Sequence, residues 1–113
     1  MITIEKLIEF GADTKSGLER CVNNEALYLR LVNMVPGNPS FDKLDEAIRN
    51  KDLDAAFSNA HSLKGILANL SITSLLNPVL EITEALREKK DIDYSSLVKE
   101  ILEKRNKLKE LCE

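Results

Sequence analysis

One short stretch of the sequence contains the best candidates for a reactive site. Residues 60–70 read Ala-His-Ser-Leu-Lys-Gly-Ile-Leu-Ala-Asn-Leu and include His61, the only histidine among 113 residues. Residues three and four positions apart are neighbours on the surface of a helix. A helix over this stretch therefore places Lys64 and Gly65 close to His61, beside the apolar stripe rather than within it.

This combination of residues suits the acceptance of a phosphoryl group. A neutral imidazole nitrogen is a good nucleophile, and a nearby Lys64 ammonium can partly neutralise the phosphoryl charge. Gly65 lies mid-helix, where glycine costs about 1 kcal/mol relative to alanine, and its missing side chain leaves room for a partner. Each residue also has an ordinary explanation: a surface histidine, a solvated lysine, and a glycine at a close helix–helix contact.

Composition excludes several other kinds of protein. A net charge of −3 argues against nucleic-acid binding, which needs a concentrated basic face. No apolar run is long enough to span a bilayer, and residues 1–6 lack the layout of a signal peptide. Cys21 and Cys112 are far apart in sequence, so we expect two reduced thiols. We therefore predict a cytoplasmic protein without membrane contact.

An enzyme with its own active site is also a weak hypothesis. The sequence has no glycine-rich phosphate loop and no nucleotide-binding signature. One histidine and two remote cysteines do not form a convincing metal-binding set. We therefore expect no metal or cofactor of its own, and no autokinase activity, because 113 residues leave no room for an ATP-binding domain.

The elements that position this stretch are all predicted to be helices. Apolar residues recur at helical spacing along the chain, and no segment alternates with the period of a strand. Short connections between amphipathic helices favour an up-and-down four-helix bundle, here with a short N-terminal helix and an additional C-terminal helix. We expect residues 1–113 to form one domain. The four longest predicted helices cover residues 24–35, 40–50, 53–70 and 73–89.

Polar residues predict where several helices begin. Either Asp13 or Thr14 can open a short second helix, which carries Leu18, Cys21 and Val22. The other predicted caps are Thr3 for the first helix, which stops at Gly11, either Asn23 or Asn24 for the third, Asp52 for the histidine helix, and Asp93 for the last.

Pro78 is awkward within the predicted helix 73–89. A proline inside a helix loses a backbone hydrogen bond and clashes with the preceding turn. Either the helix kinks at Pro78, or it begins late with Asn77 as its cap.

The residues around the histidine resemble a known family. The run from His61 through Ser62, Leu63 and Lys64 to Gly65, followed by Asn69-Leu70, is similar to the signature of histidine-containing phosphotransfer (HPt) domains of two-component phosphorelays. Residues 17–28 (GLERCVNNEALY) resemble the start of the family's second main helix. Four later residues match the helix that follows the histidine: Leu75, Leu80, Glu81 and Leu86.

The resemblance implies a four-helix bundle in which His61 is phosphorylated. It implies that His61 takes the phosphoryl group from an aspartate of a response-regulator receiver domain and passes it to another receiver. Lys64 would neutralise the phosphoryl oxygens, Gly65 would leave room for docking, and Asn69 would support the helix end. Mg²⁺ would come from the receiver. A hybrid sensor histidine kinase is a further expected partner.

Two points remain open from the sequence. The family usually has glycine after the Asn-Leu pair, whereas this chain has Ser71, which we expect to cap the next helix. The competing hypothesis for function is a non-catalytic helical docking or dimerisation module that keeps the HPt fold without transfer. The intact His61 and Lys64 argue against it.

Overall fold

Seven α-helices and no strand form the chain, which the computed structural model describes from Met1 to Glu113. The prediction of an all-α protein is confirmed. None of the helices combines the length and the apolar content that crossing a membrane requires. The helices are α1 (Ile4–Phe10), α2 (Thr14–Arg20), α3 (Glu25–Met34), α4 (Ser40–Arg49), α5 (Leu53–Asn69), α6 (Thr73–Arg87) and α7 (Ser95–Cys112), and a 3-10 turn, Val35–Gly37, lies between α3 and α4.

Four of the seven α-helices start at a predicted cap. Four side chains accept a backbone N–H at a helix start, which satisfies one of the donors that a helix leaves unpaired there. These residues are Thr3 for α1, Asp13 for α2, Asn24 for α3 and Asp52 for α5. Gly11 ends α1 in the left-handed conformation, with a φ of 104°. The predicted second helix was slightly too long, because α2 ends at Arg20 and leaves Cys21 and Val22 beyond it.

The carboxylate of Asp93 acts at the start of α7. It accepts hydrogen bonds from the backbone N–H of Ser95 at 3.0 Å and from the hydroxyl of Ser95 at 2.6 Å. These two bonds favour the ionised form and lower the pKa of Asp93. The prediction that Asp93 is the cap is therefore wrong by one residue, because the N-cap position belongs to Tyr94, whose side chain makes no cap bond, while Asp93 bonds to the first residue of the helix.

Four helices surround the largest part of the core. α5 packs along both α4 and α6, and α7 packs along α6 and α4, which closes the ring. This differs from the predicted set, which contained α3 and left α7 as a flank. α3 packs on α2 and the 3-10 turn instead, and the fourth place belongs to α7, which has 18 residues and buries Val98, Ile101 and Leu108. The shorter α3, with 10 residues, buries Tyr28 and Val32.

The N-terminal helices meet the others at the turn between α5 and α6. The hydroxyl of Tyr28 on α3 donates to the carbonyl of Leu70 at 2.9 Å, and the N–H of Asp13 donates to the carbonyl of Ser71 at 2.8 Å. One cluster of 24 buried apolar side chains includes residues from both parts of the chain, among them Leu7 and Leu108. The C-terminal end of the histidine helix is therefore held by α3 and by the cap of α2.

Ser71 adopts the conformation that ends α5. Its φ of 54° lies in the left-handed region, which favours glycine, and this explains a glycine preference at this position. The hydroxyl of Ser71 donates to the hydroxyl of Ser16 at 3.0 Å. No side chain caps the start of α6, which follows Ile72. The prediction that Ser71 caps the next helix is therefore wrong.

Pro78 lies inside α6, which continues through it. The alternative in which the helix begins late, with Asn77 as its cap, is therefore wrong. Proline has no N–H, so the carbonyl of Ser74, four residues earlier, loses its helical donor. The ammonium of Lys104 on α7 donates to this carbonyl at 2.9 Å. A side chain from a neighbouring helix thus replaces the bond that proline removes.

This arrangement predicts coupling between Lys104 and Pro78. We expect Lys104→Met to lower the free energy of unfolding by about 1 kcal/mol, because a charged hydrogen bond to a carbonyl is lost while the side chain is partly exposed. In a Pro78→Ala background the helix can pair this carbonyl itself, so the cost of Lys104→Met should shrink. Urea unfolding of the four proteins measures the coupling. Lys107→Met, an exposed change on the same helix, is the control, and equal costs in both backgrounds would contradict the explanation.

Because Tyr28 is buried, the free energy of unfolding should fall at alkaline pH. Desolvation raises the pKa of its phenol to about 12, and coulombic interactions with Cys21 and Asp13 add to this shift. The phenol ionises near pH 10 in the unfolded chain. Because the folded state keeps the proton longer, stability is full below pH 10 and is lost between pH 10 and 12, by roughly 2 to 3 kcal/mol.

Tyr28→Phe isolates this effect. Near pH 8 we expect the variant to be about 1 kcal/mol less stable than the wild type, because the carbonyl of Leu70 loses its donor. Above pH 10 the wild type should lose stability faster than the variant, so that the difference narrows and then reverses. Urea unfolding at pH 8, 10 and 12 tests this, and parallel pH profiles would contradict it.

Candidate functional site

α5 presents the candidate site on its solvent-facing side. The carboxylate of Asp52 accepts the backbone N–H of Ala55 at 3.1 Å and starts the helix. The opposite side of α5 is a buried apolar stripe, which fixes the rotation of the helix about its axis. The residues of this stripe are Ala56, Ala60, Leu63 and Leu67.

His61 is exposed on α5, as the helical spacing predicts. Its ring stacks on the ring of Phe57, one turn earlier, with the centroids 5.9 Å apart and the planes 24° from parallel. The imidazole forms no hydrogen bond with the rest of the chain. Both ring nitrogens are therefore free of internal partners and can meet an incoming group.

Lys64 lies three residues beyond His61 and is half-buried. No carboxylate lies within 4.0 Å of its ammonium, because Lys64 takes part in none of the ion pairs of the chain. Its charge is thus not neutralised by a partner within the molecule. Lys64 and His61 lie three residues apart on α5, the spacing of neighbours on a helix surface.

The surroundings of Gly65 distinguish between the two explanations for this glycine, which are room for a partner and a close helix–helix contact. A Cβ atom built on Gly65 meets no other atom within 4 Å, so the residue is not at a close helix–helix contact. Gly17 is the opposite case, because its Cβ would lie 2.4 Å from Cε1 of Tyr28. Close approach therefore explains Gly17, whereas the bare backbone at Gly65 faces open space on the helix surface that carries His61.

The ring of Phe57, which stacks on the histidine, has a second partner. The guanidinium carbon of Arg87, on α6, lies 5.6 Å from the centroid of the Phe57 ring, a cation–π distance. Arg87 also forms an ion pair with Glu84 on its own helix. The helical spacing of Phe57 and His61 was a usable sequence signal for their contact. No such signal existed for Arg87, since its position depends on how α6 packs against α5.

The remaining predicted features lie apart from His61. Asn69, the last residue of α5, accepts a hydrogen bond from Arg20 at 3.4 Å, so its side chain links α5 to α2. Cys21 is buried and Cys112 half-buried, and both thiols are free. Burial raises the pKa of Cys112. No three His, Cys, Asp or Glu side chains come together as a metal site, and the expected absence of a resident cofactor stays a prediction.

Comparison with known families agrees with this geometry. Residues 38–113, more than half of the chain, match the family model described as the Hpt domain. The chain therefore belongs to the Hpt domain family, whose members act in phosphotransfer in two-component systems and interact with receiver domains and kinases. The matched segment contains α4 to α7 and all three predicted site residues. Searches of curated proteins and of solved structures each found no match.

Proposed function

We propose that this chain is a phosphoryl carrier in a two-component phosphorelay, with His61 as the residue that is phosphorylated. The observation that carries the proposal is an exposed imidazole without internal hydrogen bonds, next to the open backbone of Gly65, inside the Hpt-matched segment. The donor is an aspartyl phosphate on a receiver domain, and the acceptor is an aspartate on another receiver.

The transfer step conserves atoms and charge without a co-reactant. The unprotonated ring nitrogen of His61 attacks the phosphorus, and a nitrogen–phosphorus bond forms as the bond between phosphorus and the aspartate oxygen breaks. The aspartate leaves with the electron pair of that bond and returns to a carboxylate. The proton on the other ring nitrogen stays in place. Transfer to the second receiver runs these bond changes in reverse.

The neighbouring residues have roles that follow from their charge and size. The unpaired ammonium of Lys64 offsets the negative charge that the phosphoryl group brings to the helix surface. Gly65 gives the receiver's backbone and side chains space to reach the imidazole. The receiver supplies Mg²⁺ and the other groups that act on the phosphoryl oxygens, and the relay operates in the cytoplasm.

For the architecture, we propose that α4, α5, α6 and α7 form the four-helix bundle of the domain. Their closed ring of contacts supports this, and their short connections favour antiparallel neighbours. α1, α2 and α3 then form an N-terminal addition within one domain of residues 1–113. The buried core that joins both parts supports a single domain.

A two-stage relay assay tests the carrier function. The chain is incubated with Mg²⁺ and a receiver domain carrying labelled aspartyl phosphate, and is then separated and mixed with a second, unlabelled receiver. We expect the label to move to the chain and then onward to the second receiver. A chain that takes no label from any receiver that binds it would contradict the proposal.

The same assay separates the carrier from a docking or dimerisation module. A module would bind a receiver with equal affinity in the wild type and in His61→Ala, and neither protein would take label. A carrier also binds the receiver in both forms, but only the wild type accepts the phosphoryl group. Nothing in the geometry favours the docking module, since the histidine is exposed and the lysine is unpaired.

A further inference from the structure

The aromatic ring next to the histidine has a feature that the family match does not explain. Phe57 is half-buried beside the apolar stripe of α5, and its ring contacts two groups of opposite kinds. One is the imidazole of His61, and the other is the guanidinium of Arg87 from α6. The ring therefore connects the candidate nucleophile to a neighbouring helix.

We infer that Phe57 is a positioning residue that holds the imidazole of His61 in the orientation needed for attack. This inference rests on the proposed function. The imidazole has no hydrogen bond to the chain, and its stack with Phe57 is an internal contact that restrains its rotation. A transfer step needs the attacking nitrogen in line with the breaking bond, and a freely rotating ring spends less time in that geometry.

Arg87 extends this chain of contacts to α6. Its guanidinium lies over the Phe57 ring and is itself paired with Glu84, so the aromatic ring is restrained from the side of α6 as well. Neither contact buries the imidazole, because His61 remains exposed. The arrangement thus orients the nucleophile without covering it, and both ring nitrogens stay free of hydrogen bonds within the chain.

A second phenylalanine shows what a purely structural pair looks like in this chain. Phe41 is fully buried and has the guanidinium carbon of Arg105 at 5.5 Å from its ring centroid. Phe41 takes part in the same kind of cation–π pair, but no histidine stacks on its ring. Phe57 differs because it stands at the surface edge of the core, where its stacking partner is the exposed imidazole. Its contribution therefore extends beyond filling the core.

The test uses Phe57→Leu, Phe57→Tyr and the control Phe10→Leu. Phe10 is also half-buried and packs on the core, but it lies at the end of α1 and makes no stack with His61. Transfer from a phosphorylated receiver is measured as a function of receiver concentration, which separates the maximal rate from the half-saturating concentration. NMR spectra of the imidazole protons report the ring stack directly, without any transfer.

We expect Phe57→Leu to lower the maximal rate by about tenfold, the effect of losing one aromatic pair, with the half-saturating concentration unchanged. The ring-current shift of the imidazole protons should disappear in the same variant. Phe57→Tyr should keep the wild-type maximal rate and the wild-type ring-current shift, because it retains the aromatic ring. Phe10→Leu should leave both at the wild-type values even though it costs stability.

The outcomes distinguish this inference from the proposed function. If the wild type accepts no phosphoryl group, the carrier function fails and the inference fails with it. If the wild type transfers normally and Phe57→Leu transfers equally fast, only the positioning role is overturned. Imidazole proton shifts that are the same in Phe57→Leu and the wild type would also overturn it.

Discussion

Replacing His61 by glutamine is expected to reduce phosphoryl acceptance to background. Glutamine is similar in size and at least as favourable in a helix, but its amide nitrogen is not a nucleophile. The predicted loss of phosphoryl acceptance in this variant is therefore caused by the missing nucleophile and not by a change in structure. Transfer from a labelled receiver in the presence of Mg²⁺, followed over time, measures the effect.

The structure provides the control for this variant. Because His61 is exposed and forms no hydrogen bond, its replacement loses only the stack with Phe57 and should lower the free energy of unfolding by about 1 kcal/mol at most. Receiver binding should also survive, since the backbone beside the histidine is unchanged. A His61→Gln protein that takes as much label as the wild type would show that another residue is the acceptor.

Substitutions at Gly65 are expected to separate stability from transfer. A Cβ at this position meets no other atom, so Gly65→Ala should raise the free energy of unfolding by about 1 kcal/mol through better helix propensity. Gly65→Gln should fold equally well but place a long side chain beside the imidazole. We expect transfer to fall modestly in the first variant and by about a hundredfold or more in the second, the effect of misplacing the reacting groups by about an ångström.

A matched change elsewhere controls for the added side chain. Ser96→Gln enlarges a small exposed residue on α7, which packs against α4 and α6, and should leave transfer unaltered. The half-saturating receiver concentration should rise in Gly65→Gln, because the defect is in docking. If Gly65→Gln transfers at the wild-type rate, the open backbone has no role in partner access.

Much of the site and of the helix boundaries could be predicted from sequence because they depend on local rules. The period of α5 alone places His61 beside the buried stripe and next to Gly65, and no tertiary contact is needed for that conclusion. Helix starts at Thr3 and Asp52 follow in the same way, since a cap bonds to a backbone group three residues on.

Contacts between helices could not be predicted, because they depend on how separate faces meet. The ring of four helices contains α7 rather than α3, and periodicity within each helix does not indicate which apolar faces meet. Lys104 on α7 donates to the carbonyl that Pro78 leaves without a helical partner, and no local sequence pattern indicates that hydrogen bond. The contact between Phe57 and Arg87 likewise requires the register of α6 against α5.

The left-handed conformation of Ser71 is an intermediate case. A helix end after Leu70 was predictable, but the sequence suggested a capping role because serine is a common helix N-cap. The backbone instead needs a positive φ at this residue, and the hydroxyl is used by Ser16 on α2. A tertiary hydrogen bond therefore decided the role of the side chain.

The most direct test of the carrier function is to locate the phosphoryl group after transfer from a receiver. The phosphorylated chain, kept at alkaline pH to protect a phosphorus–nitrogen bond, is digested and sequenced by tandem mass spectrometry. We predict a single acid-labile phosphoryl group on an imidazole nitrogen of His61. A phosphoryl group on any other residue, or none on a chain that has bound a phosphorylated receiver with Mg²⁺, would contradict the account.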